Sequence, residues 1–305
     1  MKTTLRDRWL DFWHALPPFR GRLAIARVVA QHLMTTRRTS VAWAKLPNGL
    51  RLKVDVRWRG GYDNLYYFRT YEPSLTSLIR ASLEIDGAAF IDVGANIGAF
   101  CLLAADVLQR RHGRALAAEP LPQNLAFLQE SIATNGLSAL IEVAPYAVGD
   151  SEGVLALEVM APGDIANARP TTWSQATSDA ATIVSVPMTT LDLLTRDWRL
   201  SPSSNVQFVK IDVEGAELFV LRGSSELLRR ERPLVYCEFH REFMAANGTT
   251  FPAIESFAAS LDYVIHYLGR NGRIVRSHPD PHGRYLDLVL VPRHATPHQR
   301  ALIEA

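Results

Sequence analysis

Among 305 residues there are two cysteines, Cys101 and Cys237, so a disulfide framework is excluded by count. No apolar run reaches the roughly 18 residues of a membrane-spanning helix. The first residues, "MKTTLRDRWLDFWHALPPFR", lack the continuous apolar core and small-residue cleavage site of a secretory signal. The expected location is therefore cytoplasmic, with both thiols reduced. The G-x-G-x-x-G fingerprint is missing as well: after "FIDV" only Gly94 and Gly98 are present, so no pyrophosphate cradle is spelled out.

What is present is core. The chain is 48% hydrophobic, enough for one elaborated domain or a domain plus an extension. Its net charge of +2 is unevenly spread: residues 1–60 hold thirteen Lys or Arg against three acids, a balance of +10, which leaves −8 for the remainder. Within 1–60, Trp9, Phe12, Trp13 and Leu16 form an aromatic stripe, and Ile25, Val28, Val29, His32 and Leu33 an aliphatic one flanked by arginines. We read 1–60 as a basic helical extension ending in a β-hairpin turned at Pro47-Asn48-Gly49, and 61–305 as the main domain. Its helices pack on the acidic domain or a second subunit, or else sit on an anionic membrane surface.

The stretch "AAFIDVGANIGAFCLLAADVL" predicts a buried strand over Ala88–Val93, a glycine turn, and a helix with Phe100, Leu103, Ala104, Val107 and Leu108 on its core face. In open α/β sheets such a turn lies at the carboxyl end of the strand, where ligands collect. A second strand, Arg114–Ala118, ends in Glu119-Pro120 and leads into a helix marked by Leu121, Leu125, Leu128 and Ile132. An ionised glutamate accepts hydrogen bonds only, so Glu119 suits a pair of ribose hydroxyls, one per oxygen. Turn plus acid describes a nucleoside site.

The motifs "FIDVGANIG", "AAEPLPQNLAFLQESIATNGL", "YAVGDSEG", "VPMTTLDLL" and "VKIDVEGAELFVLRGSSELLRRERPLVYCEFH" resemble, in order and spacing over residues 70–240, those of the FkbM family of S-adenosylmethionine-dependent methyltransferases. The resemblance implies a doubly wound, Rossmann-like class I sheet of seven strands with the last, "RYLDLVLVP", antiparallel. It also implies methyl transfer to a hydroxyl of a small molecule, sugar or lipid-linked glycan. Cofactor contacts carried over are Glu72, Asp92, Gly94, Asn96, Gly98, Glu119, Pro120 and Asp212, with Ala147 and Val148 beside the adenine. Tyr71-Glu72-Pro73 reads equally as a helix start. No Asn/Asp-Pro-Pro-aromatic or Pro-Cys motif of base methylation is present, so no nucleic-acid partner is expected, although the basic first sixty residues keep that class and a nucleotide-dependent oxidoreductase in view.

Residues 206–213 read as a strand that places Lys210, Asp212 and Glu214 on one face at its carboxyl end, as a catalytic cluster or a structural ion pair. A hydroxyl is a poor nucleophile at neutral pH, so a base must take its proton. Asp212 is a candidate for contacting cofactor or acceptor, Glu214 for helix-start support or base work. His240, following the strand 234–239, is either the general base or a rim histidine bonded to a loop. Asp212, Glu214 and Glu238 could also hold Mg²⁺ or Ca²⁺, but no spacing requires a divalent cation, and His278, His282 and Arg284 are too irregularly spaced for a metal site. Residues 162–182 read as a loop, with Trp173 against a sugar face or the core.

Overall fold

The computed structural model describes residues 13, 25, 41–55, 62–159, 168–170, 182–196, 198, 204–278, 280 and 283–303. Of the two N-terminal stripes only Trp13 and Ile25 fall within it. Trp13 is buried, its ring 6.3 Å from that of Phe68, whereas Ile25 is exposed. The other stripe residues, Trp173 and His282 lie outside the described residues.

Strands β1 (Val41–Lys45) and β2 (Arg51–Asp55) form the antiparallel hairpin that the alternation predicts. Its inner residues, Ala42, Ala44, Leu52 and Val54, are buried. Two helices follow, α1 (Tyr62–Phe68) and α2 (Pro73–Ser82), and then the strand–turn–helix unit of β3 (Ala88–Val93) and α3 (Ala99–Arg110). Every residue of β3 is buried, as a strand covered on both faces requires. The single apolar stripe expected on α3 is an underestimate: only Asp106, Gln109 and Arg110 escape burial. The hairpin and α2 cover the face that periodicity assigned to solvent, with Asn48 Nδ2 donating to Leu102 O at 2.8 Å and Arg80 Nη2 to Asp106 Oδ2 at 2.8 Å.

The chain continues through β4 (Arg114–Ala118), α4 (Pro122–Thr134), β5 (Ile141–Ala144), β6 (Ala147–Gly149), β7 (Gly153–Val159), β8 (Ala168–Pro170) and β9 (Thr182–Thr190). Strand β8 lies inside the segment read as a loop, and β6, β9, β7 and β8 make a second sheet in that order. At three residues, β8 is too short to carry a readable period. Beyond α5 (Leu191–Arg196) come β10 (Asn205–Ile211), α6 (Glu217–Arg222), α7 (Ser225–Glu231), β11 (Leu234–His240), α8 (Arg241–Ala246), α9 (Phe251–Ser260), β12 (Tyr263–Leu268), β13 (Ile274–Val275), β14 (Tyr285–Pro292) and α10 (Pro297–Ala301).

The main sheet runs β13-β12-β14-β11-β10-β3-β4-β5. Strands β11, β10, β3, β4 and β5 are parallel, and β14 is inserted antiparallel between β11 and β12. With the two-residue edge strand β13 set aside, this is the doubly wound seven-stranded class I sheet expected of the chain. The strand order reverses between β3 and β10, which places the ends of these two strands where an open α/β sheet forms its crevice.

Candidate active site

At the end of β3 the chain enters positive φ at Gly94 (73°), Asn96 (52°) and Gly98 (86°). A Cβ on Gly94 would lie 1.9 Å from the Asp212 carbonyl oxygen, so this position accepts glycine alone. One on Gly98 would lie 2.3 Å from Leu128 Cδ1. Gly98 therefore lets α4 approach α3 and, unlike Gly94, does not line the cavity beside the turn.

Glu119 braces that turn. Its Oε2 accepts from Asn96 N at 2.9 Å, and its Oε1 from Leu121 N at 3.0 Å and Asn124 Nδ2 at 3.1 Å. The reading of one free oxygen per ribose hydroxyl is thus corrected. Three of about four acceptor directions are used by the protein itself, because the carboxyl is buried and must be satisfied there. Burial pushes its pKa up to about 7 against the pull of these bonds and of Lys210. Asn124, absent from the sequence reading, lines the same cavity with its Oδ1 buried and without a hydrogen-bond partner among the described residues. The available signal was a polar residue on the buried face of a helix otherwise packed through Phe127 and Leu128.

On β10, Lys210 is enclosed by the protein, its Nζ 3.2 Å from Asp92 Oδ1, 3.3 Å from Asp212 Oδ2 and 3.2 Å from Gly94 O. Burial alone would lower its pKa, but Asp92 and Asp212 outweigh it and raise the value, so the ammonium stays charged. Asp92 is fully buried behind the turn and does not line the cavity. Desolvation raises its pKa despite Lys210, and Cys101 Sγ lies 3.6 Å from its Oδ2. Its place is to position Lys210.

The strand expected over 206–213 ends two residues early, at Ile211. Glu214 and Gly215 take positive φ, 57° and 104°. The amides of Val213 and Gly215, which a longer strand would offer to a ladder, each donate to Glu217 Oε1 at 3.1 Å. The helix-start support assigned to Glu214 therefore belongs to Glu217, which the sequence reading missed. This residue is 1% exposed, and burial pushes its carboxyl up to about 8. Asp212 and Glu214 nonetheless both line the cavity, the turn having replaced period two in bringing them there.

Across the cavity, Tyr71 stacks on Tyr62 with centroids 5.3 Å apart, and Glu72 is the N-cap of α2 at φ 35°. Pro73 opens that helix, and Tyr71 and Glu72 line the cavity. Pro120, Ala147 and Val148 complete the wall on the β4 and β6 side. From β11, Glu238 reaches the same cavity. Burial, then Asp212 and Glu214, push its carboxyl up to about 9. His240 does not line this cavity. It lines an adjoining cleft, stacked on Phe243 at 3.7 Å, and its Nδ1 accepts from Phe243 N at 3.2 Å. With Nδ1 so engaged, a neutral imidazole carries its proton on Nε2 and has no lone pair for another. Among the described residues no group of three or more His, Cys, Asp or Glu is placed to hold a metal ion. His278 turns to its own loop, with Nδ1 2.7 Å from Asp280 O, and Arg284 pairs with Glu242 at 2.6 Å.

The sequence matches the model of the Methyltransferase FkbM domain over residues 92–265, the segment from Asp92 through β12 that carries most of this site. The chain belongs to this family. Among solved structures, the methyltransferase FkbM from Methylobacillus flagellatus KT is similar at 18% identity with a TM-score of 0.44, covering 77% of this chain; the chain spans 56% of that longer protein. TYW2 from Pyrococcus horikoshii, in complex with MeSAdo, is similar at 12% identity with a TM-score of 0.43, covering 88% of this chain and 80% of that one. TrmK from M. capricolum, in complex with S-adenosyl-homocysteine, is similar at 13% identity with a TM-score of 0.35, covering 72% and 68%. Comparison with curated proteins gives no match. Among the described residues, no helix is long and apolar enough to cross a membrane.

Proposed function

We propose that this protein is a methyltransferase that uses S-adenosylmethionine to methylate a hydroxyl of a small molecule, sugar or glycan. The observation that carries the reading is one cavity with three kinds of wall: a braced turn with an unsatisfied buried Asn124 oxygen, a small apolar patch, and a group of carboxyls. These residues fit an S-adenosyl group. Glu119 and Asn124 offer acceptors to ribose hydroxyls, Ala147 and Val148 an apolar seat for adenine, and Glu72 and Asp212 negative charge for a cationic end. When bound, the cofactor supplies a methyl carbon already activated by sulfonium.

The chain's own work is then to align the acceptor and take its proton. Asp212 is the residue so placed. Lys210 fixes its carboxylate from behind at 3.3 Å, and Glu238 faces it from β11. Because His240 Nδ1 caps α8, the base assigned here is Asp212, with His240 and Glu214 shaping the acceptor side.

Calorimetric titration with S-adenosylhomocysteine tests the reading. Wild type is expected to bind on the order of micromolar, and Asn124→Ala and Glu119→Gln each to weaken binding about tenfold or more. A folded wild type that binds no S-adenosylhomocysteine, or that binds NADH in its place, overturns it.

A further inference from the structure

The edge of the main sheet farthest from β5 is basic. Residues 263–303 hold six arginines against two acids, a balance of +4 within a domain that carries −8. There β12, β13, β14 and α10 surround a cleft of about 400 Å³ that shares no residue with the cofactor cavity. Its buried lining is apolar, Val291 and Ala295 among it. The rest is cationic: His266 of β12, Arg276 just after β13, Arg293 just after β14 and Arg300 of α10, the three arginines exposed.

We propose that this cleft is a second ligand site, which takes the phosphate monoester of a small molecule, its phosphate between Arg276, Arg293 and His266 and its carbon body against Val291 and Ala295. The proposal does not depend on the reading of the cofactor cavity.

Three observations carry it. First, the cations converge: four side chains from separate parts of the fold meet at one cleft, and among the described residues none of them has an acidic partner. Like charges so gathered repel one another, and a dianion between them relieves the repulsion. The three terminal oxygens of a phosphate monoester serve two guanidinium forks at once, whereas the two of a carboxylate serve one. Because the cations ring one cleft instead of following a row, they suit a single phosphate better than a polynucleotide backbone. Second, the wall is held in place. Arg273 donates from Nη1 to Ala301 O at 3.0 Å and from Nη2 to Ile303 O at 3.1 Å, and Ile274 N donates to Leu302 O at 3.0 Å, so α10 is tied to β13. Arg300 Nη1 in turn donates to Ala295 O, which fixes that guanidinium at the lining. Third, His266 is poised to gain a proton. Its Nδ1 lies 3.3 Å from Val264 O, which only accepts, so Nδ1 carries the ring proton and Nε2 remains for a second one. Burial, opposed by the Val264 carbonyl and aided by Arg276, holds its pKa below the ordinary histidine value, and a bound dianion would raise it.

Calorimetric titration of the full chain with phenyl phosphate, benzoate, benzyl alcohol and a short RNA tests this, with histidine-ring NMR as a second readout. Flotation with phosphatidylcholine vesicles, with and without phosphatidic acid, separates a lipid phosphate from a soluble one. Phenyl phosphate is expected to bind, benzoate and benzyl alcohol to bind about tenfold or more weakly, and the His266 ring signals to move toward imidazolium. In the double variant Arg276→Gln, Arg293→Gln, with an unchanged melting temperature, phenyl phosphate binding is expected to fall about tenfold or more. Flotation that needs phosphatidic acid and is lost in that variant assigns the phosphate to a lipid head, and no flotation assigns it to a soluble ligand; both uphold the site. No binding of phenyl phosphate to folded wild type, equal binding in the double variant, preference for benzoate or RNA, or binding that appears only in Glu304→Gln overturns the proposal.

Discussion

Lys210 sits inside the sheet between Asp92 and Asp212, and an ion pair so enclosed is asymmetric in its energetics: removing one partner strands the other, whereas removing both is mild. Lys210→Met leaves the fully buried Asp92 without its cation and is expected to destabilise the fold by about 3–5 kcal/mol. The double variant Asp92→Asn, Lys210→Met is expected to lose less than the sum of the single losses, as urea denaturation would show; strict additivity would mean the pair is not coupled. For function, this rigid pair presents Asp212 to the cavity in a fixed position.

At the scale of elements, the β1–β2 hairpin closes the outer face of α3 and α4. Its backbone is pinned at Arg51, whose N donates to Asn135 Oδ1 at 2.9 Å and whose carbonyl accepts from Asn135 Nδ2 at 2.6 Å, and at Lys53, whose N donates to Ser131 Oγ at 3.0 Å. Each such bond contributes about 1 kcal/mol net, and local opening follows where they are few. Asn135→Ala is therefore expected to speed hydrogen exchange across 41–55 while amides of β10 keep their protection. Equal protection of the hairpin in variant and wild type would show that packing of Leu46, Leu52 and Val54 suffices to hold it.

Over the whole molecule, four glutamates around the site keep their protons unusually high, Glu72 and Glu119 to about 7, Glu217 to about 8 and Glu238 to about 9, each chiefly through burial. A carboxyl whose folded value lies above its unfolded one favours the folded state below the unfolded value, and that contribution is lost as pH rises through the folded value. The apoprotein is thus expected to lose thermal stability between about pH 5 and about pH 9, and Glu217→Gln, which keeps an acceptor for Val213 and Gly215 but does not titrate, to flatten the decline. A wild-type melting temperature constant over that range would contradict this account.

Some of this was legible in the chain itself. The units β3–α3 and β4–α4, the strands β10 and β11, the hairpin turn at Asn48-Gly49, and the convergence of Gly94, Glu119 and Asp212 follow from local periodicity and turn chemistry, which the residues carry with them, whereas Ala147 came from the family resemblance. Local signals could not say what would cover α3, because the solvent face of a helix becomes core only when a distant hairpin docks on it. Nor could they separate Glu214 from Glu217. Period two predicts a face only while the strand lasts, and it ended at Ile211, where two amides found a buried carboxylate instead of a neighbouring strand. His240 shows the same limit: the sequence determined that an imidazole stands at the end of β11, and the tertiary fold decided that its Nδ1 lone pair would cap a helix.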